Sequence, residues 1–173
     1  MGITLLITVL VLAVVAAAAL LLWMERNRLV VARHEVDRAW SSLEQALKAR
    51  NDEVPKVLGL CRAYLPADLK ELKQLSDARN AILRSTSPQE KYQASQTLRT
   101  ALQAVLQAAQ SNAELKKNTA FQRLQARLAE MEGRAVEKRD YFNHSVAALN
   151  KRMGAFPGNL LVSLLKTKPG IPV

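Results

Sequence analysis

Residues 3–23 are uncharged and apolar without a break, and they lead straight into a stretch with helical amphipathic spacing. As a helix rising about 1.5 Å per residue, that run crosses the roughly 30 Å hydrocarbon core of a bilayer once. No Pro or Gly occurs between Ile3 and Pro55, so the pattern predicts a membrane helix continuing rigidly into the soluble part. The apolar seam there is Leu29, Val36, Trp40, Leu43 and Leu47, at helical spacing. Asn51 or Asp52 is then expected to cap a second helix, with Pro55 in its first turn. The seam of that second helix runs Val54, Leu58, Cys61, Leu65, Leu69, Leu72 and Ile82, and Pro66 kinks or breaks it.

Ser87-Pro88-Gln89-Glu90 is the sharpest local signal. Ser87 reads as an N-cap, Pro88 as the first helical residue, and Glu90 completes a capping box. Leu98, Leu102, Val105 and Ala109 mark the third helix. A polar stretch, residues 110–117, turns the chain, and Asn118 or Thr119 caps the last helix. Its seam is Phe121, Leu124, Leu128, Met131, Ala135, Phe142, Val146, Leu149, Met153 and Phe156. The three-four rhythm stumbles at Lys138 and Arg139, as an inserted four-residue step would make it do. Phe156-Pro157-Gly158 stops the helix.

The expected fold is therefore all-α: one N-terminal transmembrane helix continuing into an antiparallel bundle of about four long helices. Its divisions are residues 1–24 as anchor, 25–157 as bundle and 158–173 as a short apolar, basic tail. Short connections force the helices to alternate in direction. A last helix over 119–155 is roughly 55 Å long against about 40 Å for the soluble part of the first. It has the reach to return to the bilayer. Residues 159–173, with the LLVSLL run, are then either interfacial or else folded back on the bundle or disordered.

Charge adds a direction to this picture. The net charge is +10, and all of it follows Trp23. The bundle is mildly basic, whereas residues 151–173 carry Lys151, Arg152, Lys166 and Lys168 with no acidic residue. These four are the candidate lipid-contacting residues, each worth about 1 kcal/mol beside anionic headgroups. The alternative is a solvated basic surface. Nucleic acid is not expected as a partner, because no aromatic interleaving or reading helix accompanies the charge. Arg26, Arg28, Arg33 and Arg38 follow the span and no Lys or Arg precedes it, so the bundle is expected in the cytoplasm. Only Met1 and Gly2 precede the apolar run, which lacks the positive n-region of a secretory signal; an uncleaved anchor is expected. Leu6 stands where N-myristoylation needs Ser or Thr.

Catalytic chemistry has little to stand on. Cys61 is the single cysteine and falls on an apolar stripe, the place of a buried structural thiol. His34 and His144 are isolated, Ser41 and Ser42 lie mid-helix, and no phosphate-cradling Gly loop is present. No catalytic residue, cofactor, metal or small-molecule substrate is expected. Along the last helix Glu132 and Arg139, Asn143 and Asn150, and Arg127 and Arg134 recur at a spacing of seven, on one face. Glu132, Arg139, Asn143 and Asn150 are the candidate polar strip. It either docks a partner helix or forms a buried hydrogen-bonded layer that fixes register.

These residues also resemble the LemA family. The first block is Asn27-x-Leu29-Val30-x-x-Arg33-x-x-Val36-x-x-Ala39-Trp40, continuing through Leu47, Lys48, Arg50, Asp52, Val54 and Pro55 to Tyr64, Asp68, Ala78 and Arg79. The second is Leu115-Lys116, Asn118, Phe121, Leu124, Leu128, Glu132, Arg134 and Arg139. It ends in Asn143-x-x-Val146-x-x-x-Asn150 and Phe156-Pro157. Phe142 and Leu149 stand where the family usually has tyrosines, Gly133 and Lys56 where it has Asn, and Asp68 where it has Glu. The similarity is weakest over residues 83–112. What the resemblance implies is an anchored antiparallel bundle with no agreed enzymatic activity.

Two functions are expected from this reading. One is a non-enzymatic membrane-anchored scaffold or adaptor for membrane or cytoplasmic proteins. The other is an oligomerising membrane-shaping protein that binds anionic lipid through its basic tail. A homo-oligomer is the remaining partner class. The expected location is the bacterial inner or plasma membrane, single-pass, with the N-terminus outside.

Overall fold

The computed structural model describes residues 1–66, 69–155 and 169–173, and every regular element among them is an α-helix. Helix α1 spans Gly2–Arg62, α2 Lys70–Arg84, α3 Pro88–Gln110, α4 Ala113–Lys117 and α5 Thr119–Gly154. The all-α expectation is met: α1, α2, α3 and α5 are the long helices, and α4 has five residues.

The largest departure from the sequence reading is at residues 51–55. No new helix starts there: α1 passes through Asn51, Asp52 and Pro55 to Arg62. A proline inside a helix removes one backbone hydrogen bond and costs about 3 kcal/mol. The opposing term is larger. Leu43, Leu47, Val54, Val57, Leu58 and Cys61 form one stripe at three-four spacing across the proline, and all six are buried. Each Val or Leu so buried contributes about 1.5–3 kcal/mol, so unbroken burial of this stripe outweighs the lost bond. Pro55 itself lies on the exposed side.

The chain does break at Pro66. Tyr64 and Leu65 donate their N–H groups back to the Cys61 carbonyl at 3.1 and 2.8 Å, closing α1. Beyond the turn, Ser87 caps α3 as expected. Its hydroxyl accepts from the Glu90 N–H at 3.2 Å, and the Glu90 carboxylate accepts from the Ser87 N–H at 3.3 Å. The backbone N–H groups of Thr86 and Ser87, with the Thr86 hydroxyl, donate to the Glu90 carboxylate and hold it below its ordinary value. The polar stretch 110–117 contains the short helix α4, which the sequence reading took for a turn. Asn112 caps it and Leu115 is its buried anchor. Asn118, one of the two expected caps, accepts from the N–H groups of Ala120 and Phe121 at the start of α5. The expected stop at Phe156-Pro157-Gly158, together with Asp68, Lys166, Lys168 and the LLVSLL run, lies outside the described residues.

Two compact units divide the chain, and α1 and α5 contribute to both. One comprises Met1–Ala39 with Phe142–Pro172. Its apolar run is fully exposed, with no residue of the most hydropathic 18-residue window buried, and it is long and apolar enough to cross a membrane. Its buried side chains are Ala39, Phe142, Ser145, Val146, Leu149 and Met153. In this unit Arg152 at the end of α5 donates Nη1 to the Arg28 carbonyl at 3.5 Å, a few residues past the apolar run.

The other unit comprises Trp40–Tyr141 and Val173. Side chains from all five helices meet in its core, among them Val54, Leu75, Leu98, Leu115, Phe121 and Leu128. Its ion pairs and charged hydrogen bonds report the helix directions. Glu44 meets Lys91 and Arg50 meets Ser95, so α1 and α3 run parallel. Arg50 meets Glu132 and Glu53 meets Arg127, so α1 and α5 run antiparallel. The order is that of alternating helices joined by short connections.

Candidate functional site

A charged layer occupies the interior of the Trp40–Tyr141 unit. Arg50 sits on the apolar stripe of α1 and is only 2% exposed. Its Nη1 donates to Glu132 Oε2 of α5 at 2.5 Å. Its Nη2 donates to the Ser95 carbonyl of α3 at 2.7 Å and also to the Ser95 hydroxyl. Arg99 Nε approaches the second Glu132 oxygen at 2.9 Å. One turn further along α1, buried Glu53 pairs with Lys56 at 2.9 Å and with Arg127 of α5 at 3.1 Å. Each carboxylate is thus met by two cations, an arrangement that joins α1, α3 and α5 in one register. Charges this deep are tolerable only when paired.

Tyr64, at the turn after α1, is tied to both ends of α4. Asn112 donates Nδ2 to the Tyr64 carbonyl at 3.0 Å, and Asn118 donates Nδ2 to the Tyr64 hydroxyl at 3.1 Å. On the surface of the same unit, an open groove of about 560 Å3 lies between α1 and the α2–α3 hairpin. Trp40, Leu47, Ile82 and Leu83 give it apolar walls, and Glu44 and Lys91 bridge across it. Leu83 is 65% exposed. Asn51, which also lines the groove, keeps a buried Oδ1 without a hydrogen-bond donor among the described residues.

The sequence-predicted strip is distributed among different roles. Glu132 enters the interior layer. Arg139 pairs with Asp140 at 2.7 Å and bonds Tyr92, and these two partners raise its pKa. Asn143 is half-buried and engaged, and belongs with Asn150 to the unit containing Phe142–Pro172. Asn150 clasps the chain's own C-terminal segment: Nδ2 donates to the Gly170 carbonyl and Oδ1 accepts the Gly170 N–H, both at 2.9 Å. Of the expected lipid-contacting residues, Lys151 and Arg152 are exposed. Arg127 and Arg134, alike in spacing, take different partners, Glu53 and Glu130.

Sequence reasoning missed Arg50, Glu53 and Ser95 as interior groups. A signal for Arg50 existed: it falls three residues after Leu47 and four before Val54, at a stripe position where apolar residues are the rule. Cys61 is fully buried, and desolvation pushes its thiol up to about 11, away from nucleophilic use. Among the described residues no three His, Cys, Asp or Glu side chains cluster as a metal centre requires.

An all-α chain with one helix long and apolar enough to cross a membrane, and with interhelical ion pairs in its helical unit, is the class these features define. A family model for the LemA family matches residues 39–170, and the chain belongs to that family. It is not known as an enzyme family. No curated protein matches the chain.

The layer generates a stability prediction. Glu132→Leu removes the carboxylate from buried Arg50 and is expected to cost about 3–5 kcal/mol in urea unfolding. Glu130→Leu, at an exposed position of the same helix, should stay within about 0.5 kcal/mol of the parent. Equal losses in the two variants would remove the layer as a determinant of stability.

Proposed function

We propose that the protein is a non-enzymatic, membrane-anchored scaffold that presents its helical surface to a protein partner. The observation that carries this reading is the single helix α1, which runs from the apolar segment into the wall of the groove at Trp40, Leu47 and Asn51. Anchor and groove share one element, so a partner held in the groove is held at the membrane. Trp40 gives the groove an aromatic side chain of the kind that dominates binding energies at protein interfaces, and exposed Leu83 with Ile82 adds apolar surface. The arginines after the span support a cytoplasmic bundle in a bacterial plasma membrane, with the N-terminus outside.

A second reading is favoured by one contact. Arg152 reaches the Arg28 carbonyl, which supports Lys151 and Arg152 as headgroup contacts close to the span. On this reading the protein gathers anionic lipid and shapes the bilayer, with Lys166 and Lys168 adding to the same charge.

Three measurements test these readings. Cross-linking in mild detergent is expected to recover a partner with the wild-type protein and to lose it with Leu83→Asp. Recovery of the bait alone counts against the scaffold. Protease added to sealed inverted vesicles should digest the bundle, while right-side-out vesicles protect it; the reverse pattern would turn the topology over. Changing Lys151, Arg152, Lys166 and Lys168 to Gln should weaken deformation of anionic vesicles. An undiminished effect would end the lipid role of these residues.

A further inference from the structure

Beside the charged layer, where α1, α3 and α5 meet, lies a half-open cavity of about 180 Å3 that neither reading above uses. Arg50 of α1, Arg99 and Gln103 of α3, and Gln125 and Glu132 of α5 supply its polar lining, and leucines of α3 and α5 with Ala129 supply the rest. The charges do not balance. Two guanidinium groups face one carboxylate, leaving a surplus of one positive charge. Nor are the donors satisfied. Arg50 spends both Nη atoms on Glu132 and Ser95, yet its buried Nε–H has no acceptor. Arg99 Nε–H is also buried and makes no aligned hydrogen bond, although it stands close to Glu132. The amides of Gln103 and Gln125 make no hydrogen bonds among the described residues. A buried charged donor without an acceptor is costly, and a helix bundle built for packing alone would fill this place with apolar side chains.

We propose that this cavity binds a small oxyanion, a carboxylate or phosphate group, which accepts from Arg50 and Arg99 and neutralises their surplus charge. Guanidinium groups suit this task because their planar donors match the spacing of carboxylate and phosphate oxygens. Glu132 opposes an incoming anion, but both arginines already hold it, and it offsets only one of their two positive charges. The leucine wall favours an anion with a short apolar body over an inorganic ion. The site joins three helices, so an occupant tightens the bundle irrespective of what docks in the groove.

The test uses the full chain in detergent, with acetate, inorganic phosphate and n-butyl phosphate, each against chloride at matched ionic strength. At least one oxyanion is expected to bind saturably at one per chain by calorimetry and to raise the melting temperature above the chloride control. Acetate alone would mark a carboxylate site, the phosphates alone a phosphate site, and both an oxyanion site without preference. Arg99→Gln should weaken binding about tenfold or more, Arg99→Lys less, and Arg134→Gln on the exposed surface should leave it unchanged. Gln125→Leu provides a second loss of affinity that leaves the ion pairs untouched. No oxyanion binding above chloride, or wild-type affinity in both Arg99→Gln and Gln125→Leu, would overturn the proposal.

Discussion

Three helices of the Trp40–Tyr141 unit, α1, α3 and α5, are keyed to one another through one buried guanidinium. Arg50 stands where an aliphatic side chain would serve for packing, and its charge must be answered inside the protein. The answers come from the Ser95 backbone and hydroxyl on α3 and from the Glu132 carboxylate on α5. A slip of either helix by one turn would strip the arginine of its partners. Apolar stripes tolerate such slips far better, since one leucine packs much like another. The pair therefore adds little to stability beyond what an apolar layer would give, and adds much to the uniqueness of the register.

The continuity of α1 follows from a competition of similar character. A local rule, that proline ends helices, meets a stripe of six apolar residues running through it, and burial wins. The result is a 61-residue helix that belongs to the apolar run and to the bundle alike. In the LemA family, to which this chain belongs, a match beginning at residue 39 starts well inside that helix rather than at its end.

Much of this was legible in the sequence, and the failures have physical causes. The apolar run and the Ser87 capping box are local signals, decided within a few residues, and were read correctly; at the start of α5 the sequence left Asn118 and Thr119 open, and Asn118 is the one whose side chain accepts from the first N–H groups. Eight of the ten expected seam residues of α5 are buried, on both sides of the stumble at Lys138 and Arg139, while Met131 is half-buried and Phe156 lies outside the described residues. Residues 51–55 misled because cap and proline propensities are local, while the stripe that overrides them is recognised only when Leu43 and Cys61 are taken together. Helix α4 was missed because its single buried residue, Leu115, gives no period to detect. The polar residues of α5 were seen as one strip, yet Glu132 answers Arg50 and Asn150 answers Gly170. Spacing assigns a face; it does not assign the partner.

Asn112 and Asn118 illustrate how tightly two small demands narrow the choice of residue. Each uses its side-chain oxygen to begin a helix and its side-chain nitrogen to bond Tyr64. Asp, Ser and Thr begin helices well, but Asp brings no donor in its ionised form, and a hydroxyl is too short to serve both ends at once. Gln carries the same amide on a stem one methylene longer, out of reach of the nearby backbone. Helix-start statistics alone would grant these positions four interchangeable residues; the tyrosine between them leaves one.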